Sequence, residues 1–267
     1  MNKKLSPILL TLLITMIVIP SIASVISQRK IVPPFVSVVT PHYNYPIGLF
    51  FIDNGSTKEV CTASVINTDN GNIGLTAAHC LFDNDRKKYN LSFLSFYPGY
   101  DNGTNGPLKD IPVVDTAIPY THLLVPEMSD YALVRFAFRD PHGGNATLQD
   151  YTGALGWRFD IGNGEPTSVF GYPKDGDLEN CANDAEHLCN WQGITEKLEN
   201  FKNYYVIRNI DFGVGASGGP FISQYNTETN LGYAYAVYDG FFDGAKVSVG
   251  DIWNETTFNN LLSRITP

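Results

Sequence analysis

The sequence predicts an all-β protein of the barrel or sandwich class, and three observations support this. Short runs rich in Val, Ile, Tyr and Phe recur along the chain with turn residues between them, as in antiparallel β architectures. Two of the separating segments, 53–56 and 69–72, contain Asn-Gly, a strong hairpin signal. Amphipathic helical periodicity is convincing only near the C-terminus. With 43% hydrophobic and 17% charged residues among 267, the chain has ample apolar material for a core.

Regular structure is predicted to begin near Ile47, after a proline-interrupted stretch. The first three predicted strands, at 47–52, 60–66 and 73–76, form a meander because short turn segments join them. Further β runs follow at 91–97, 111–114, 131–136, 168–172, 204–207, 221–223, 233–238 and 246–249. Many short strands with turns between them favour a barrel or sandwich over a layered α/β fold.

The last predicted element is an amphipathic helix. Phe258, Leu261, Leu262 and Ile265 follow the i, i+3, i+4, i+7 spacing, and Asn254 is the expected N-cap. We expect this terminal helix to pack its apolar side on the β domain, because such a stripe has no other apolar partner.

The N-terminus has the pattern of an export signal, with Lys3 and Lys4 before an apolar run at 8–19. This run is shorter than the ~20 apolar residues that span a bilayer. We therefore expect a signal peptide at 1–23, an N-terminal arm or short pro-segment at 24–45, and a single domain at 46–267. Five glycosylation sequons suit a secreted glycoprotein. They lie at Asn54, Asn90, Asn102, Asn145 and Asn254.

The formal net charge of −9 argues against nucleic acid or an anionic membrane as a partner, because both require a basic surface. No metal-ligand cluster is evident, and we expect no cofactor and no metal. The four cysteines allow three disulfide pairings in an exported protein. Their separations favour two local bridges, Cys61 with Cys80 and Cys181 with Cys189, and neither pair has the C-x2-C spacing of a zinc site.

A glycine-rich loop at 211–220 carries the candidate nucleophile, Ser217. Glycine contributes no side chain to packing and loses the most backbone entropy on ordering, so such a loop is needed for its backbone. Consecutive N–H groups can turn toward one point and stabilise an oxyanion, while the Ser217 hydroxyl remains accessible to a substrate carbonyl. The alternative is a plain turn between two strands.

Two further residues complete a candidate constellation. His79 follows a run of small residues at a strand end and could act as the general base for a serine, because imidazole titrates near neutral pH. Asp130 enters an apolar β run, where its carboxylate needs a donor such as an imidazole N–H. Asp110 and Asp115 are rivals for this role. The other four histidines, His42, His122, His142 and His187, are expected to be solvated surface rings.

Three segments now resemble the signatures of trypsin-like (chymotrypsin-fold) serine endopeptidases. They are Thr76-Ala77-Ala78-His79-Cys80, Asp130-Tyr131-Ala132-Leu133 and Gly215-Ala216-Ser217-Gly218-Gly219-Pro220, in the order His, Asp, Ser. The similarity extends from about Ile47 to the terminal helix. Gly171-Tyr172-Pro173 and Ile210-Asp211 are more similar to the glutamyl endopeptidase branch than to digestive trypsins.

The resemblance implies two six-stranded antiparallel β-barrels, with the active site between them and a C-terminal helix. It implies a catalytic triad of His79, Asp130 and Ser217, an oxyanion hole formed by the backbone N–H groups of Gly215 and Ser217, and an acyl-enzyme intermediate. The expected partner is a protein or peptide substrate, and we expect a secreted monomer.

The sequence departs from the trypsin-like pattern beside the nucleophile. In trypsin-like zymogens an aspartate at this position pairs with a newly freed N-terminal amine, and this chain has Ala216 there. Alanine cannot form that ion pair. Activation by insertion of a new N-terminus is therefore not expected, although Arg29-Lys30-Ile31-Val32 resembles a cleavage site.

The resemblance leaves the residue preference open. Asp211 lies six residues before Ser217, where a trypsin-like pocket carries its basic-selective carboxylate, but it also matches the Ile-Asp element of the glutamyl branch. The pocket wall is expected from 235–240. Tyr238 stands where glutamyl enzymes carry a histidine, and the adjacent Asp239 would repel an acidic side chain. Cleavage after Glu is thus disfavoured, and a neutral or basic preference is expected.

Two other classes of function fit the sequence less well. A catalytically inactive, protease-like binding or regulatory module has no chemical reason to retain His79, Asp130 and Ser217 together. A lipase or esterase would need a strand-turn-helix nucleophile elbow and α/β alternation, and the sequence has neither.

Overall fold

The structure is a computed structural model that describes residues 31–198 and 204–266, so the expected signal peptide lies outside the described residues. The strands are β1 Ile31–Val32, β2 Ile47–Asp53, β3 Lys58–Val65, β4 Ile73–Thr76, β5 Leu94–Pro98, β6 Ile111–Ala117, β7 Ala132–Phe136, β8 Gly156–Arg158, β9 Glu165–Gly171, β10 Cys189–Leu198, β11 Tyr204–Arg208, β12 Pro220–Asn226, β13 Leu231–Phe242 and β14 Val247–Asp251. The α-helices are α1 Tyr120–Leu124, α2 Leu148–Thr152 and α3 Glu255–Ile265. Short 3-10 turns occur at His79–Leu81 and Leu91–Phe93.

The first barrel closes in the order β2-β3-β4-β7-β6-β5 through antiparallel pairs. The predicted meander is its β2-β3-β4 portion. Inward-facing residues alternate with more exposed ones, as along β5, and large apolar side chains fill the interior. Phe96 and Phe136 stack with their ring centroids 4.5 Å apart, and Phe50 is fully buried in the same core.

The second barrel closes in the order β13-β12-β9-β10-β11-β14, with β13 paired to β14. Its core includes buried tyrosines whose hydroxyls have partners, which offsets the cost of burying them. The Tyr235 hydroxyl lies 2.6 Å from Thr167 Oγ1 and 3.0 Å from Thr195 Oγ1. The two closed six-stranded antiparallel barrels confirm the predicted fold class.

The segment before the first barrel is extended and packs on the domain. β1 pairs with β8, which runs parallel to β13 at the edge of the second barrel, and Val32 is buried. The Ser37 hydroxyl is anchored to backbone carbonyls of α2. Within residues 31–198 and 204–266, regular structure thus starts at Ile31 rather than near Ile47. A two-residue strand is too short to show alternation, so no periodicity in the sequence predicts it.

The terminal helix α3 is confirmed. Asn254 Oδ1 accepts a hydrogen bond from the Thr257 N–H at 2.9 Å, the geometry of an N-cap, and Phe258, Leu261 and Ile265 are buried. The Phe258 ring stacks on Tyr131, which follows Asp130 in the chain. The helix therefore supports Tyr131, the residue next to Asp130. No helix among the described residues is long and apolar enough to cross a membrane.

Candidate active site

His79 and Asp130 are joined by two hydrogen bonds. His79 Nδ1 donates to Asp130 Oδ2 at 2.5 Å, and the His79 backbone N–H donates to Oδ1 of the same carboxylate at 2.8 Å. The 3-10 turn after β4 carries His79, and Asp130 lies two residues before β7, the strand that pairs with β4. Asp130 is 2% exposed, whereas the His79 side chain is 42% exposed. The carboxylate is thus buried and paired while the imidazole faces the solvent-accessible side.

The pairing shifts the pKa of both groups. Desolvation opposes a proton on His79, but the charge and hydrogen bond of Asp130 outweigh it and raise the pKa of the imidazole. Burial alone would raise the pKa of Asp130, yet the charge and hydrogen bond of His79 lower it well below its usual range. Asp130 is therefore ionised at neutral pH and can stabilise an imidazolium.

The other aspartates considered for this role lie elsewhere. Asp115 on β6 faces Arg135, with 3.5 Å between Oδ2 and Nη2, and Asp110 is exposed. Of the three candidates, Asp130 alone contacts the His79 ring among the described residues.

The Ser217 loop requires glycine at positions where its backbone is both crowded and left-handed. Gly215 has φ +100°, and a Cβ there would lie 2.3 Å from the Tyr172 carbonyl oxygen. Gly218 has φ +84°, and its Cβ would lie 2.3 Å from the Thr62 carbonyl oxygen. The loop is held to the first barrel by a hydrogen bond from the Thr62 N–H to the Ser217 carbonyl oxygen, at 2.7 Å. The tight contact with both barrels fixes the position of Ser217 at their junction.

The backbone N–H groups on either side of Ala216 are unengaged. Across residues 31–198 and 204–266, the N–H groups of Gly215 and Ser217 make no hydrogen bond, while those of Gly218 and Gly219 bond to carbonyl oxygens. A buried N–H without an acceptor costs free energy unless a ligand supplies one. The two free donors at Gly215 and Ser217 are those expected to form the oxyanion hole.

Ser217 and His79 line one cavity of about 580 Å³, together with Gly215 and both cysteines of the first disulfide. In the part of the chain that the structure describes, the Ser217 hydroxyl makes no hydrogen bond with the His79 ring. Nucleophile and base contacts are often loose without substrate and tighten in the complex. The cavity also has apolar walls, which include Phe82 and Leu123.

Both expected disulfides are confirmed, Cys61 to Cys80 and Cys181 to Cys189. The first bridge ties β3 to the residue that follows His79. These sulfurs lie within reach of the His79 ring, but a disulfide offers no thiolate to a metal ion. The second bridge joins the loop after β9 to the start of β10.

His122 on α1 is not the solvated surface ring that its sequence context indicated. It is 3% exposed, and its Nδ1 lies 3.6 Å from Asp130 Oδ1 with no hydrogen-bond partner. Burial lowers the pKa of His122, which favours the neutral ring. A second imidazole thus lies close to the Asp130 carboxylate.

Asp251, at the end of β14, was also missed. It is 3% exposed, and its Oδ2 accepts a hydrogen bond from the Asp130 backbone N–H at 2.5 Å. The contact fixes the backbone that carries the Asp130 carboxylate. The sequence signal for Asp251 is an aspartate just after an apolar run, whereas Asp130 stands at the head of one.

The residues expected to form the substrate pocket divide into two places. Asp211 Oδ1 accepts hydrogen bonds from the Gly213 N–H at 2.8 Å and from the Tyr238 hydroxyl at 3.3 Å. Burial raises the pKa of Tyr238, so its hydroxyl stays protonated and donates. Asp239 lies instead within 4.8 Å of both the His79 ring and the Asp130 carboxylate. None of these three expected pocket residues lines the cavity that contains Ser217.

Ala216 lies in an apolar environment. It is 2% exposed and packs in a cluster with Phe212, Tyr235 and Ala236 of the second barrel. Ile31 is 45% exposed and pairs with Arg158 as part of β1. Ala216, at the position where trypsin-like zymogens carry an aspartate, thus lies in the hydrophobic core.

Comparisons with known proteins agree with this architecture. No family model and no curated protein matches the chain. A crystal structure of the protease Anisep from Arthrobacter nicotinovorans superposes with a TM-score of 0.67 at 21% identity, over 84% of this chain and 97% of that one. A thermostable serine protease from an extremophilic microorganism also gives 0.67 at 21% identity, over 86% and 99%. A Glu endopeptidase gives 0.61 at 15% identity, over 88% and 98%. This likeness confirms the chymotrypsin-like fold that the three motifs implied.

Proposed function

We propose that this chain is a secreted serine endopeptidase that hydrolyses peptide bonds with Ser217, His79 and Asp130. The observation that carries the proposal is the His79 to Asp130 hydrogen bond at 2.5 Å, with Ser217 in the same cavity as the imidazole. Three fold neighbours, described as a protease, a thermostable serine protease and a Glu endopeptidase, support the same class of reaction.

The reaction begins when Ser217 Oγ attacks the carbonyl carbon of the scissile bond and its proton passes to His79 Nε2. The negative charge on the carbonyl oxygen is held by the free N–H groups of Gly215 and Ser217. Asp130 accepts from Nδ1 and stabilises the imidazolium. His79 then gives its proton to the leaving amine, which departs and leaves an acyl-enzyme. Water attacks the ester by the same proton route, and Ser217 is restored.

Secretion is supported by the two disulfides, since such bridges persist in oxidising compartments, and by the apolar N-terminal run. Glycosylation is supported by the position of the sequons. Asn90, Asn102, Asn145 and Asn254 are exposed, and Asn54 is half-buried. We expect the secreted protein to act as a monomer on protein or peptide substrates.

For the residue preference, we propose a neutral or basic side chain on the substrate. Asp211 would repel an acidic side chain, but one of its oxygens already accepts hydrogen bonds from Gly213 and Tyr238. These hydrogen bonds occupy acceptor sites that an Arg or Lys side chain would otherwise use, which weakens the attraction for a basic residue. Cleavage after Glu is disfavoured because the tyrosine at 238 offers no positive charge.

The test is covalent labelling of purified protein with a fluorophosphonate probe, followed by digestion of a mixed peptide library. Wild-type protein should be labelled at Ser217, and Ser217→Ala should abolish labelling and reduce turnover by up to about a millionfold. Ser223→Ala is the matched control, since that serine is buried on β12 outside the cavity. A folded wild-type protein that is not labelled would contradict the proposal and favour an inactive, protease-like binding module.

A further inference from the structure

A β-bulge places Asp239 beside the candidate catalytic pair. Tyr238 on β13 pairs with Gly250 of β14, and Gly240 pairs with the next residue, Val249, so Asp239 is the extra residue between them. Bulges re-aim a side chain and are frequent beside active sites. Immediately before the bulge, the Tyr238 N–H and C=O bond to Gly219 and Gly218 of the Ser217 loop. The position of Asp239 is thus fixed relative to the nucleophile.

The side chain of Asp239 belongs to a compact group of titratable atoms. Its carboxylate oxygen, an Asp130 oxygen and a His79 ring nitrogen all lie within 4.8 Å of one another, and Asp239 is half-buried. Two ionised carboxylates at such a distance repel each other, and desolvation by the surrounding protein strengthens the repulsion. A single proton shared between the two carboxyl groups removes it, as in other carboxyl pairs.

The proton has a preferred place within the pair. Burial alone would raise the pKa of Asp130, whereas His79 and a hydrogen bond with Asp239 lower it. Asp130 also accepts two hydrogen bonds from His79, which favour its ionised form. An ionised Asp130 is a pure acceptor, so its contact with a second carboxyl group requires that the second group be the donor.

We propose that Asp239 is a positioning residue whose protonated carboxyl donates a hydrogen bond to the Asp130 carboxylate and so holds it in place against His79. The catalytic consequence rests on the proposed function, but the hydrogen bond itself does not. Other titratable groups also face this pair. Tyr204 and Tyr238 lie in the field of Asp239, while Asp251 and His122 contact Asp130.

Two substitutions distinguish a neutral Asp239 that donates a hydrogen bond from a negatively charged Asp239. Asp239→Asn keeps the shape and an N–H donor but cannot titrate, and Asp239→Ala removes the donor. The matched control is Asp243→Asn, at the far end of the same hairpin, where the side chain is 82% exposed and pairs with Lys246. The second-order rate of Ser217 labelling by a fluorophosphonate is measured against pH for all four proteins, with a denaturation curve to show that each is folded.

A protonated Asp239 predicts that the Asn variant labels within about threefold of wild type, because its N–H replaces the lost donor. The Ala variant should label roughly tenfold to a hundredfold more slowly, the range for a hydrogen bond to a charged group. In the Asn variant, the midpoint of the acidic limb of the labelling-rate profile should stay at the same pH.

An ionised Asp239 predicts another result. Its negative charge would raise the pKa of His79, so the Asn variant would shift the acidic limb to lower pH. That shift, or an Ala variant as fast as wild type, would overturn the proposal.

An NMR titration of the His79 ring decides the same question without catalysis. Equal imidazole pKa values in wild type and Asp239→Asn support a neutral Asp239, and a lower pKa in the variant refutes it. If wild-type protein is folded but unlabelled, the proposed function fails, and the NMR titration still determines whether Asp239 carries the proton.

Discussion

The disulfide between Cys61 and Cys80 should matter to the site beyond its contribution to stability, and replacing both cysteines by alanine tests this. The bridge ties β3 to the residue after His79, and both cysteines line the cavity with Ser217. The second bridge, Cys181 to Cys189, provides the matched control because neither of its cysteines lines that cavity.

The expected losses of stability are similar for the two bridges. A disulfide constrains the unfolded chain by an amount that depends on the length of the closed loop. The bridges close sequence separations of 19 and 8 residues. Loop-closure entropy then gives about 3 kcal/mol for the first and about 2.5 kcal/mol for the second. The difference is too small to account for a large difference in activity.

The assay pairs the free energy of unfolding, from denaturant curves, with the rate of Ser217 labelling by a fluorophosphonate under native conditions. Both double variants should lose a few kcal/mol of stability. The Cys61→Ala, Cys80→Ala protein should also label at least about tenfold more slowly, because a small displacement of a catalytic group is costly. The Cys181→Ala, Cys189→Ala protein should label at the wild-type rate. Equal labelling by the two folded variants would refute a role of the first bridge in holding His79.

Three further predictions concern pH, activation and the serine loop. Desolvation opposes a proton on His79, but the neighbouring carboxylate raises the pKa of the imidazole above 6.5. Labelling should therefore fall on acidification with a midpoint above pH 6.5. A midpoint below that value would contradict the pairing. A chain that starts at Ile31 and one extended by a single residue should label equally, because Ala216 offers no carboxylate to a freed amine; a large loss on extension would show otherwise. Gly218→Ala should lower stability by roughly 1–3 kcal/mol and abolish labelling, because φ is positive there and the added Cβ would be crowded. Gly244→Ala should do neither, because the space around its added Cβ is open. Similar behaviour of the two alanine variants would mean that the loop can relax.

The sequence predicted the elements that have strong local signals. Strands at 47–52 and 73–76 alternate or are fully apolar and lie between turn residues, and α3 has both a stripe and a cap. Three strands were missed. β1 and β8 have two and three residues, and β10 has polar and charged residues along an exposed face. Their existence depends on pairing with β8, β13 and β9, which is long-range information.

His122 shows how the local pattern can mislead about a site. On α1 the polar His122 is 3% exposed, while its apolar neighbours Leu123 and Leu124 are 53% and 63% exposed. This inverts the usual arrangement, in which the apolar residues of a short helix face the core. Nδ1 of this buried ring lies 3.6 Å from Asp130 Oδ1, so the carboxylate is a polar neighbour of the imidazole. A sequence pattern does not predict that contact, because residue 122 lies on α1 and residue 130 lies on the segment between α1 and β7.

Asp239 illustrates a second limit, which concerns strand geometry. Asp239 was grouped with Tyr238 because the two are adjacent in the sequence, yet successive side chains of a strand point to opposite faces. Tyr238 turns toward Asp211, and the bulge turns Asp239 toward Asp130. One strand thus connects the expected substrate pocket with the candidate catalytic pair.

Since the two side chains lie on different sides of β13, Tyr238→Phe should change the residue preference in a peptide library while leaving the pH dependence of labelling intact. Asp239→Ala should instead slow labelling while leaving the residue preference intact. A library preference that changes equally in both variants would mean that the bulge moves as a unit and that pocket and catalytic pair are coupled through it.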